Sequence, residues 1–154
     1  MAHYKKVIYE NINGDMDVIG RIIGGCIDVL KDLIGTKYDG TIDFIDKYKD
    51  DGIIWYFDNF ALKSEDLFNS LWHMKQAGWF KYAKGFLIGR TYSAQDVEDF
   101  TYIDALKKGI GCLGLPVVFD LDIGHQLPQW TIINGAYGIF KFDKGNCTLI
   151  QKYI

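Results

Sequence analysis

Among side chains able to exchange a proton near neutral pH, His125 is the histidine best placed to act. It follows the apolar run Pro116 to Phe119 and the segment Asp120-Leu121-Asp122, sits directly behind Gly124, and is followed by Pro128, which stiffens the exit. Strand ends in α/β sheets are where ligands gather, and a glycine lets the backbone turn sharply there. The plainer reading is a surface-loop histidine without a role. Asp58 closes the run Gly52 to Phe57, a rigid mount for a carboxylate; its plainer reading is a turn aspartate that satisfies the start of the next segment. Arg90, at the end of the run Lys84 to Gly89, has the fork geometry to clamp a substrate carboxylate, and a structural ion pair is an equal alternative.

A nucleophile is harder to find. The three serines are Ser64, Ser70 and Ser93. Ser64 reads as a helix cap, Ser70 as a residue within that helix, and Ser93 as part of a loop. None stands in a G-x-S-x-G elbow. Cys26 follows Gly24-Gly25 at an expected helix start, where a thiolate is favoured in principle. His3 and His73 read as bystanders. The histidines are far apart and no H-E-x-x-H is present, so no metal site or cofactor is expected. Gly20 to Gly25 lacks both the G-x-G-x-x-G pattern and the Walker lysine, which argues against nucleotide binding.

The elements that must position these residues follow from period and punctuation. Asn13-Gly14 between the short apolar runs 4–10 and 16–19 predicts a hairpin or connecting ribbon. Gly20 to Gly25 leads into a helix with Ile27, Leu30 and Ile34 on one face, ended by Gly35. A short helix is expected over 43–48. The runs 52–58, 84–90 and 116–120 are continuous and apolar, as strands buried on both faces are. Helices are expected from Ser64, capped by its hydroxyl, to Gly78, and over 96–110. Short strands at 130–133, 136–143 and 147–153 complete a β meander. The order predicts an α/β fold with a mixed sheet and flanking helices.

The length of 154 residues suits one domain, and with 49% apolar residues the chain can bury a real core. A net charge of −3 leaves no electrostatic footprint for nucleic acid. No apolar run is long enough to span a membrane, and Met1 to Glu10 does not read as a signal peptide. Three widely spaced cysteines without a CxxC read as reduced, buried thiols of a cytoplasmic protein.

Four segments in order resemble the C-terminal half of the LD-carboxypeptidases, cytoplasmic serine peptidases of cell-wall recycling whose relatives include microcin self-immunity proteins. They are Gly20 to Leu30 with Gly35 to Asp39, Gly52 to Leu62, Leu71 to Phe80 running on to Gly85–Arg90, and Gly114 to Val118 running on to Gly124-His125. The resemblance implies a swivelling β/β/α-type domain over 20–154, with residues 1–19 as a ribbon or linker and the serine-bearing N-terminal domain absent. It implies His125 as general base and Asp58 as the orienting acid, with Cys26 as an ordinary helix position. It implies glutamate where Asp58 stands, so the carboxylate here is shorter in reach by about 1.5 Å. The implied reaction is hydrolysis of the L,D-amide bond of a murein tetrapeptide, with the serine supplied from elsewhere and the chain forming a homodimer. The rival expectation is a binding or dimerisation module that keeps the fold and has lost the chemistry.

Overall fold

The run 53–58 is the part of the chain least able to face water, and it lies at the centre of the sheet. In the computed structural model, which describes residues 9–93 and 95–153, seven strands form one sheet. They are β1 (Glu10–Ile12), β2 (Met16–Cys26), β3 (Ile53–Asp58), β4 (Ala83–Gly89), β5 (Val117–Leu121), β6 (Tyr137–Asp143) and β7 (Asn146–Lys152), in the order β1-β5-β4-β3-β2-β6-β7. β2, β3, β4 and β5 run parallel. β1 closes one edge antiparallel to β5, and β6 and β7 extend the other edge antiparallel from β2. The helices are α1 (Ile27–Leu30), α2 (Thr41–Lys47), α3 (Ser64–Gln76) and α4 (Tyr102–Gly109). The fold is α/β, a mixed sheet with flanking helices, as expected.

The period of two along β3 divides the core. Ile53, Trp55 and Phe57 point to the helical side, against Leu67, Leu71 and Met74 of α3 and Leu106 of α4. Trp55 stacks on Trp79 with ring centroids 5.7 Å apart and on Phe57 at 5.4 Å. Ile54 points to the other side, among Met16, Ile22, Leu87, Val118 and Phe140, with Ile123, Trp130 and Ile132 of the segment after β5 laid over them. Burial on both faces is what a continuous apolar strand requires.

Several expectations differ from the structure. Asn13 and Gly14 do turn the chain, with φ of 65° and 89°. The strands on either side do not pair with each other, however: β1 lies against β5, and β2 lies between β3 and β6. Residues 20–25 are not a lead-in to a helix but part of the strand β2. The helix after it spans only Ile27–Leu30 before giving way to turns that end at Gly35, φ 78°. Ser64 is not the cap of α3, because its hydroxyl is spent on tertiary contacts: it donates to Phe100 O at 2.7 Å and accepts from Val97 N at 3.0 Å. The third long helix begins only at Tyr102, where Thr101 and Asp104 form a reciprocal capping box. Residues 130–133 are irregular rather than a strand. The last two strands and the Lys144-Gly145 turn between them, with φ of 49° and 79°, are as the sequence predicts. The expected run 4–10 lies mostly outside the described residues.

Candidate functional site

The parallel strands all end on one side of the sheet, and each delivers a polar group there. Asp58 is the last residue of β3 and is 6% exposed. Its Oδ2 lies 2.7 Å from Nδ1 of His125, on the loop after β5. An imidazole nitrogen facing a carboxylate carries the proton, so Nδ1 donates and Nε2 is left as the basic atom. The His125 side chain is 44% exposed, and no hydrogen bond reaches Nε2 among the described residues. The structure therefore brings together two residues that lie 67 positions apart in sequence.

Gly124 makes this contact geometrically possible. Its φ is 105°, and a Cβ placed on it would lie 2.6 Å from Cβ of Asp58. The histidine loop therefore rests directly on the aspartate, closer than any side-chain-bearing residue permits.

Arg90 fastens the same loop from below. Nη1 pairs with Asp122 Oδ1 at 2.8 Å, and Nη2 donates to the carbonyls of Gln126 at 3.2 Å and Pro128 at 2.7 Å. Of its two sequence readings, the placement is that of an ion pair. Three more bonds close the loop: Gln126 Nε2 to Thr91 O at 2.6 Å, Gln129 Nε2 to Gly124 O at 2.5 Å, and Tyr9 OH to Asp122 Oδ2 at 2.9 Å.

The open face of the imidazole is walled by rings that the sequence reading did not single out. Phe60 lies 4.8 Å from the His125 ring and stacks on Tyr92 at 5.0 Å and 8°. The Phe60 turn is held by Asp28, whose carboxylate accepts Phe60 N at 2.8 Å and Ala61 N at 2.9 Å. Asn59, 2% exposed, bonds both N and O of Leu62 at 2.9 Å. A polar residue so buried directly after a strand is the one sequence-visible hint of a built turn.

Cys26 differs most from expectation. It is not a helix residue; it ends β2, directly opposite Asp58 in the parallel register. Its Sγ, a carboxylate oxygen of Asp58 and a ring nitrogen of His125 all lie within 4.8 Å of one another. Burial pushes the Cys26 thiol up, and the negative charge of Asp58 adds to the effect. At neutral pH it is a thiol rather than a thiolate, which makes it a poor nucleophile.

Among the described residues no serine hydrogen-bonds the imidazole. Ser64 and Ser70 are tied to the carbonyls of Phe100 and Asp66, and Ser93 donates to Phe60 O at 3.0 Å. His73 lies exposed on α3, and His3 lies outside the described residues.

Solved structures share this fold. The muramoyltetrapeptide carboxypeptidase from Oxalobacter formigenes matches with a TM-score of 0.71 at 21% identity, over 92% of this chain and 48% of that one. The microcin C7 self-immunity protein MccF, as an inactive mutant, gives 0.74 at 18% identity, over 97% and 42%. An MccF-like protein from Streptococcus pneumoniae in complex with AMP gives 0.65 at 21%, over 97% and 45%. This chain thus spans less than half the length of each. No curated protein matches its sequence. The family model of the LD-carboxypeptidase C-terminal domain matches residues 19–138, which include Cys26, Asp58 and His125, and the chain belongs to that peptidase family.

Proposed function

We propose that this chain is the histidine-bearing part of a serine peptidase that hydrolyses the L,D-amide bond of murein tetrapeptides. The observation that carries the reading is the 2.7 Å contact between His125 Nδ1 and the buried Asp58. It leaves Nε2 facing outward from the strand ends. A serine hydroxyl brought to Nε2 by a nucleophile-bearing domain loses its proton to His125 as it attacks the amide carbon. Asp58 stays ionised, holds the tautomer and stabilises the imidazolium. The same nitrogen then protonates the departing amine of the D-amino acid, and water repeats the cycle on the acyl intermediate. Both outer nitrogens of Arg90 are engaged by the loop, which supports a positioning role in place of the alternative substrate-carboxylate clamp. The family resemblance further points to a cytoplasmic homodimer. No helix among the described residues is long and apolar enough to cross a membrane.

The rival reading, a binding module without chemistry, is favoured by no comparable observation; a dead site has no need of a buried carboxylate aligned on a half-exposed imidazole. The test is release of the terminal D-amino acid from a murein tetrapeptide. The chain alone is expected to show none. Joined to the nucleophile domain of a family member, it is expected to show turnover that falls at least ~10³-fold in His125→Ala. Equal turnover with His125→Ala refutes the proposal.

A further inference from the structure

Cys26 is not needed for the acid–base chemistry above, yet the fold places it at the same spot. It sits on β2, Asp58 on β3, and their register is one-to-one, so both side chains leave adjacent strands at the same level. His125 closes the third side, with all three donor atoms within 4.8 Å of one another. We infer that Cys26, Asp58 and His125 form a binding site for a borderline-soft divalent cation, zinc above all.

The donor set selects the ion. Thiolate and imidazole favour zinc over magnesium or calcium, which take oxygen ligands. Three protein ligands and a fourth, open position are the usual pattern of an accessible zinc site. Bonds of ~2.0–2.3 Å put tetrahedral ligand atoms about 3.3–3.8 Å apart, so the present spacing must change by about 1 Å. The half-exposed His125 ring and one torsion of Cys26 can supply that movement; the strands need not move. Cys26 now rests its thiol on Asp28 Oδ2 at 3.6 Å; binding releases that thiol proton to solvent, and coordination through Nδ1 of His125 shifts the ring proton to Nε2. The carboxylate and thiolate together neutralise the ion. Zinc seated there withholds the imidazole and the carboxylate from any proton transfer. The inference rests on this geometry alone and stands or falls apart from the peptidase reading.

The reduced chain alone is titrated with cobalt(II) chloride, then with zinc chloride. Expected are a near-ultraviolet thiolate-to-cobalt charge-transfer band with a one-to-one endpoint, its loss on adding zinc, and a zinc-dependent rise in Tm. Cys26→Ser is expected to lose the band and to bind zinc at least ~10-fold more weakly, whereas the double variant Cys112→Ser, Cys147→Ser keeps both. His125→Ala, on an exposed side chain, gives a second check that does not depend on the core: it too weakens zinc at least ~10-fold. No band with the unaltered chain, a band that survives Cys26→Ser, or unchanged zinc affinity in His125→Ala overturns the inference.

Discussion

Asp58 is one methylene shorter than the glutamate that the sequence resemblance leads one to expect, and it reaches Nδ1 of His125 at 2.7 Å. The missing length is made up by backbone, since the loop at Gly124 lies against the aspartate Cβ. Restoring glutamate therefore overshoots. Asp58→Glu is expected to displace the imidazole by about an ångström and to lower kcat of the assembled peptidase on the order of 100-fold. Asp58→Asn keeps the volume, loses the tautomer control, and is expected to lower kcat about 10⁴-fold. Steady-state kinetics of the two variants separate the effects, and a glutamate variant as fast as the parent refutes the account. Of these residues, a histidine behind a glycine and a strand-terminal acid could be picked out in the sequence, but only the family resemblance paired His125 with Asp58. Cys26 was not legible as part of the site. Its membership of the site follows from parallel pairing with a strand more than twenty-five residues away, and register between distant strands leaves no mark on either one.

At the scale of elements, the histidine loop is a separately fastened unit, and Arg90 is its principal tie. Arg90→Ala leaves Asp122 without its cation and two carbonyls without their donor. If Arg90 positions the loop, the assembled enzyme loses kcat by about 10–100-fold with KM little changed, and amide exchange over residues 122–130 of the chain alone quickens. A substrate-carboxylate clamp instead raises KM and leaves exchange unaltered. The strands β3, β4 and β5 were legible as unbroken apolar runs. β2 was not, because its glycines read as the lead-in to a helix. At Gly24 the reason is tertiary: a Cβ there would collide with the carbonyl of Tyr56 on the neighbouring strand. Ser64 misled in a similar way, since a hydroxyl suited to capping was used to tie down the 97–100 segment. In each case local propensity was sound and a long-range contact outweighed it.

For the molecule as a whole, one carboxyl sets an expectation about acid and stability. Asp120 lies in β5 with φ 59°, a conformation that aspartate and asparagine tolerate better than most residues. Burial pushes its carboxyl up, Glu10 on β1 adds to the rise, and Arg90 opposes it. The folded state therefore holds this proton more tightly than the unfolded chain. Its contribution is complete below the ordinary carboxylate range and is lost as pH rises through the raised folded value. Asp120→Asn removes the titration. Thermal melts are expected to show the variant more stable than the parent at pH 7 and level with it near pH 3; a gap that widens toward acid contradicts the assignment. The stacked indoles of Trp55 and Trp79 have a different consequence. They are 1% and 0% exposed, and their Nε1 donors find no acceptor among the described residues. With nothing polar to stabilise their excited states, both should emit at the blue end of the tryptophan range. With the exposed Trp72 and the part-buried Trp130 replaced by phenylalanine, a red shift in emission reports water entering between the sheet and α3, so the fold carries its own optical gauge of how dry its centre remains.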